Sequence, residues 1–188
     1  MANLIVIFLF YSFLGFLVEV GYVWLLRHPK KDRKCLLLLP LCPVYGFGAA
    51  AVLALPRPIL SQPIWVFVAG ALVCTLVEYG AAVFYERGVG VKFWAYDQQP
   101  GNLSGRVCPL YTLFWGGLSL LTVFVLQPLF APLLARLPFW LIRVLFLLFA
   151  ADSLVSLLLL HQTGTPDCLR WYRCLPFRLP MKAPKSSM

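Results

Sequence analysis

Apolar residues run in long blocks along this chain, and polar residues gather in the short gaps between them. Runs of mostly apolar residues lie near 4–26, 36–56, 63–85, 107–128 and 138–160. One helix needs about 20 such residues to cross the hydrocarbon core of a bilayer. The pattern predicts an all-α, polytopic integral membrane protein with five transmembrane helices over residues 1–160, followed by a tail over 161–188. Pro40 and Pro43 interrupt the start of the second run. The first run is expected to be a span and not a signal peptide. Met1-Ala2-Asn3 carries no positive charge, and Trp24-Leu25-Leu26-Arg27 offers no small-residue cleavage site.

Composition sharpens this reading. Hydrophobic residues make up 61% of the 188 positions and charged residues 12%, whereas a soluble domain carries roughly 25% charged residues. The net charge of +9 does not point to nucleic acid, because the basic residues cap apolar runs and form no continuous basic face. Their distribution gives direction instead. Arg27, Lys30, Lys31, Arg33 and Lys34 follow run one; Arg87, Lys92 and Arg106 follow run three; Arg170, Arg173, Arg178, Lys182 and Lys185 follow run five. The opposite side holds Arg57 and Arg136, and Arg143 lies inside run five, where it is expected to snorkel outward. Lys and Arg accumulate on the cytoplasmic side, so the chain is expected to be N-out and C-in, with a basic cytoplasmic tail lying on anionic lipid.

The apolar pattern also repeats. Leu17-Val18-Glu19-Val20-Gly21 in run one matches Leu76-Val77-Glu78-Tyr79-Gly80 in run three, and Cys42-Pro43-Val44-Tyr45 matches Cys108-Pro109-Leu110-Tyr111. The order L-V-E-x-G, basic loop, C-P-x-Y thus occurs twice, which predicts a duplicated helical hairpin over 4–60 and 63–128 in parallel orientation. Pro is tolerated just inside a helix start. Pro43 and Pro109 should therefore both begin helices, with Leu36 to Leu39 as a lead-in, re-entrant or otherwise.

Three of seven acidic residues, Glu19, Glu78 and Asp152, fall inside apolar runs. Each lies roughly 5 Å to the cytoplasmic side of the midplane at a helical rise of 1.5 Å per residue. A charge at the bilayer centre costs about 2.5–3.5 kcal/mol even on lenient scales, so these groups should face the bundle or a watery cavity. Two readings stand: a polar inward chamber for a cation, proton or amine-bearing solute, or neutral acids hydrogen-bonded between helices. The clusters Gly46-Phe47-Gly48-Ala49-Ala50 and Gly116-Gly117 suit close helix packing.

Residues 86–106 form the most polar loop before the tail. Asn102, Gly105 and Arg106 precede helix four, where backbone N–H groups favour an anion and Arg106 adds a charge-assisted donor; a plain helix-capping turn is the alternative. The six cysteines have no C-x-x-C spacing and are expected to be reduced, with no metal and no cofactor. No P-loop, H-E-x-x-H or G-x-S-x-G motif occurs.

Phe10-Tyr11-Ser12-Phe13-Leu14-Gly15-Phe16 with Glu19, then Cys42-Pro43-Val44-Tyr45-Gly46-Phe47-Gly48, Glu78-Tyr79, Trp94-Ala95-Tyr96 and Asn102-Leu103-Ser104-Gly105-Arg106-Val107-Cys108, resemble the type IV ABC-transporter permease family, often called CmpB-like, of bacterial membranes. The resemblance covers most of residues 8–155. It implies a multi-pass membrane subunit in the bacterial inner (plasma) membrane, with a separate ATP-binding subunit as partner. The leading expectation is a permease-type, non-enzymatic subunit, monomeric or homo-oligomeric, with Glu19, Glu78, Asp152, Tyr45, Asn102 and Arg106 as candidate substrate-binding residues. The alternatives are a membrane sensor or scaffold, and an enzyme acting on lipid headgroups through Arg106, Asp97 and a Glu as base.

Overall fold

The computed structural model describes residues 4–25 and 35–170. The basic loop after run one and the tail from residue 171 lie outside the described residues. Seven α-helices follow in order among the described residues: α1 (Leu4–Leu25), α2 (Pro43–Leu53), α3 (Arg57–Leu60), α4 (Pro63–Val83), α5 (Pro109–Leu121), α6 (Gln127–Leu134) and α7 (Phe139–Thr163). A wider π-helical turn carries α4 on through Phe84–Val89, and another joins α5 to α6 through Thr122–Leu126. The described residues hold no strand beyond an isolated bridge between Leu103 and Val107. The protein is an all-α, multi-pass membrane protein.

Among the described residues, four helices are long and apolar enough to cross a membrane: Leu4–Leu25, Pro63–Val89, Pro109–Leu134 and Phe139–Thr163. The fourth run therefore extends past residue 128, through Pro128 and Pro132. The π turn before Pro128 widens the helix where a proline ring needs room and its missing N–H leaves a gap in the ladder. Run two departs from a continuous helix over 36–56. Residues 35–42 are non-helical, and α2 has 11 residues, about 16 Å of helix against a core of about 30 Å. Pro40 and Pro43 exclude the helical ladder upstream, so the second crossing is broken into a lead-in, α2 and the short α3.

Both C-P pairs begin helices in the same way. Cys42 and Cys108 are extended N-cap residues, and Pro43 and Pro109 take the first helical position. α1 packs antiparallel to α2, and α4 to α5. Glycine makes both approaches possible: a Cβ on Gly15 would collide with Tyr45, and one on Gly70 with Ser119. Gly46 and Gly116 likewise meet α1 and α4 closely, whereas Gly117 faces open space. The glycine clusters thus serve packing, with Gly117 the exception.

α7 lies beside α1 in parallel, through Val6 against Ile142 and Phe8 edge-on to Phe149, with ring centroids 5.0 Å apart. One face of α7, including Trp140, Leu147 and Leu154, is exposed, as suits a face turned to lipid, while Asp152, Ser156 and Leu160 are buried. Arg143 lies one turn from the start of α7 with its guanidinium 4.2 Å from the Phe139 ring centroid. Helical side chains point toward the N-terminus, so Arg143 reaches toward the near end of α7, as a snorkelling arginine does. At the other end, α7 runs to Thr163, and the turn Pro166–Leu169 folds back so that Leu169 is buried with Val89, Val91 and Leu160. The tail therefore begins later than residue 161.

Candidate functional site

The two repeated glutamates stand on parallel helices, and both line one cavity of about 350 Å³ between the hairpins. Val18, Glu19 and Tyr22 enter from α1, Tyr45 from α2, Glu78 from α4, and Tyr111 and Trp115 from α5. Phe93, Trp94 and Tyr96 close it from the loop between α4 and α5. Every one of these elements contributes from the end that the Lys and Arg bias assigns to the cytoplasm.

Each carboxyl group is held by aromatic donors. The Tyr45 hydroxyl donates to Glu19 Oε1 at 2.9 Å. Glu78, 5% exposed, accepts from the Tyr96 hydroxyl on Oε1 at 2.9 Å and from Trp115 Nε1 on Oε2 at 2.8 Å. The Tyr45 and Trp115 rings meet with centroids 5.0 Å apart. The two glutamates are thereby joined through a continuous run of bonds and ring contact that crosses from one hairpin to the other. Tyr96 stacks on Tyr111 at 4.6 Å, and the Tyr111 and Tyr22 hydroxyls share a 2.8 Å bond. Cys35 and Cys42 also line the cavity, with sulfurs 3.2 Å apart. A second, smaller cavity of about 70 Å³ lies toward the other end of α1, sharing Val18, Tyr45, Trp115 and Leu118 with the first.

The remaining acid sits elsewhere. Asp152, buried near the middle of α7, accepts the backbone N–H of Leu38 at 3.1 Å on each oxygen and that of Leu39 at 2.7 Å on Oδ2. One turn on, Ser156 Oγ accepts the N–H of Leu37 at 2.8 Å. Non-helical backbone inside a membrane must find partners within the protein, and α7 supplies them here. Asp152 thus holds the non-helical lead-in and does not line the cavity. Its closest partners are backbone groups more than a hundred residues away, which no side-chain motif announces, and Ser156 Oγ adds a longer bond to Oδ1 at 3.4 Å from within α7.

Arg106 and Asn102 also have internal duties. Arg106 donates through Nε and Nη2 to Glu86 Oε2, at 2.9 and 2.6 Å, and its guanidinium lies over the Tyr79 ring. The hydrogen bond with Glu86 pushes the arginine still further above its ordinary pKa, so it stays charged. The carboxylate that Arg106 attracts belongs to its own chain. Asn102 Oδ1 accepts the N–H of Gly105, and its amide donates to the Gln99 carbonyl at 2.8 Å. Trp94 Nε1 ties the loop down on the Arg106 carbonyl at 2.9 Å, and the Gly105 carbonyl accepts the N–H of Tyr96 at 2.7 Å. The W-A-Y and N-L-S-G-R segments therefore build one tight loop, which delivers the Tyr96 hydroxyl to Glu78.

Tyr96 and Trp115 were not among the expected site residues. A signal existed for Trp115: a buried indole N–H wants an acceptor, and the spanning runs offer few besides the glutamates. No such signal marks Tyr96, which needs the loop's path to reach its partner.

A helical bundle in which two carboxyl groups from different hairpins line one largely aromatic cavity defines a multi-pass membrane protein with a candidate site inside the bundle. Within that class, the family model described as "Putative ABC-transporter type IV" (ABC_trans_CmpB) matches residues 6–157, and the chain belongs to this family. Neither the curated proteins nor the solved structures contain a match to it.

Proposed function

We propose that the chain is the permease-type subunit of a bacterial inner-membrane transporter, with the cavity between its hairpins as an inward-facing solute chamber. The observation that carries this reading is the convergence of Glu19 and Glu78, from separate hairpins, on one cavity of about 350 Å³. Acidic groups are costly in spanning segments and mark solute or proton paths more often than packing. Two of them on matching helices, walled by Tyr45, give the chamber a negative lining suited to a cationic solute or a proton.

The Tyr45–Trp115 ring pair separates this chamber from the smaller cavity beyond it. In an alternating-access cycle, that pair is the partition a solute passes. A chain with no P-loop needs its energy from elsewhere, and a separate ATP-binding subunit answers both that need and the family's description. Affinity purification from native membranes in mild detergent tests the partnership. Recovery of an ATP-binding chain at equal stoichiometry is expected. Recovery of this protein alone, after crosslinking in intact cells, would contradict an ATP-driven complex.

A further inference from the structure

The wall of the chamber says more about its occupant than charge alone. Tyr22, Tyr45, Tyr96, Tyr111 and Trp115 all line it beside Glu19 and Glu78. The polar ends of these rings are engaged with one another or with the acids: Tyr45 with Glu19, Tyr96 and Trp115 with Glu78, Tyr22 with Tyr111. What the rings offer a guest is therefore chiefly π surface. A phenol or indole that donates to a carboxyl oxygen also gains electron density in its ring, which strengthens the attraction of that ring for a cation.

Such a wall discriminates among cations. Calcium needs six to eight oxygen ligands and magnesium a near-ideal octahedron. Among the described residues, no group of three or more His, Cys, Asp or Glu gathers to provide a metal site. An alkylated ammonium ion needs no such shell. Its charge is spread over a carbon surface that aromatic faces contact directly, the recognition used for quaternary ammonium groups.

We infer that the chamber takes a small organic ammonium ion, held by the tyrosine and tryptophan rings and balanced by the two glutamates. This inference rests on the chamber reading and narrows it to a ligand class.

Isothermal titration of the full chain in detergent tests it with choline and its neutral isostere 3,3-dimethyl-1-butanol. Choline should bind saturably and the isostere at least about tenfold more weakly, since the shapes match and the charge differs. Tyr111→Leu, which removes a ring, should weaken choline binding by about tenfold, and Tyr111→Phe should stay within about threefold of wild type. Equal binding of the isostere would reveal an apolar pocket and overturn the inference, as would no binding of choline. A parallel measurement separates that failure from failure of the chamber itself. Val18→Cys in an otherwise Cys-free chain should react with a charged thiol reagent in inside-out vesicles. Reaction without choline binding would leave the chamber standing and remove the ammonium ligand. No reaction at Val18→Cys would remove both.

Discussion

Asp152 on α7 holds the backbone N–H of Leu38 with both of its carboxyl oxygens, each at 3.1 Å, and so fastens a non-helical stretch inside the bundle. Leu39 adds a third bond to the same acid at 2.7 Å. The acid stands where an irregular backbone would otherwise leave its donors bare in a medium without water. Asp152→Leu should therefore lower stability by about 2–6 kcal/mol, since it strands the Leu38 and Leu39 donors and each buried donor left unsatisfied costs about 1–3 kcal/mol. Asp152→Asn, which keeps one carbonyl acceptor, should lose about half as much. Thermal unfolding in detergent reads both. A Leu variant that melts like the wild type would refute the clamp.

Gly105 sits at φ +67°, and a Cβ there would meet the Asp97 carboxyl group. Gly105→Ala combines left-handed backbone strain, about 1–3 kcal/mol for a residue with a side chain, with that collision. The loop should loosen and draw Tyr96 away from Glu78. Faster proteolysis within residues 90–108 is expected, at sites protected in the wild type. An unchanged cleavage pattern would show that the loop does not depend on this turn.

The charge bias predicts a membrane orientation that can be checked directly. Gln98 is exposed on the loop between α4 and α5, and Gln98→Cys in a Cys-free chain should react with an impermeant reagent only in inside-out vesicles. Labelling from outside in intact cells would reverse the topology, and with it the inward-facing chamber. The same approach extends to the basic tail, where binding of a tail peptide to anionic vesicles should exceed binding to neutral ones at low salt.

Much of this architecture can be read from residue order because bilayer physics leaves few choices. Long apolar runs become helices, and prolines set helix starts at Pro43 and Pro109. The L-V-E-x-G repeat gives Glu19 and Glu78 equivalent places on parallel helices, and the cavity takes both. Hydropathy alone would carry the second helix through Leu36 to Leu39, because it reports burial and not regularity; the match to Cys108-Pro109 instead puts the helix start at Pro43 with those leucines as a lead-in, and they are non-helical. Asp152 looks like the other two acids for a related reason, since depth is legible and the identity of a backbone partner is not. Arg106 shows the same limit at the surface, where a helix start and a cation suggest an anion ligand and the chain supplies Glu86 itself.

The central claim is that Glu19 and Glu78 act together on a solute. Gln at either position preserves shape and removes the charge. Gln at 19 can still accept from Tyr45, so Glu19→Gln should fold normally. Glu78 accepts two donors, and Gln there loses one good acceptor, at a cost of about 1–2 kcal/mol. The decisive measurement is charge displacement on solid-supported membranes carrying the reconstituted protein, driven by concentration jumps of protons, potassium and choline. A saturable signal with at least one of these is expected in the wild type, and loss of that signal in both single Gln variants while melting in detergent shows them folded. A double Gln variant that responds like the wild type would contradict a joint role for the two acids.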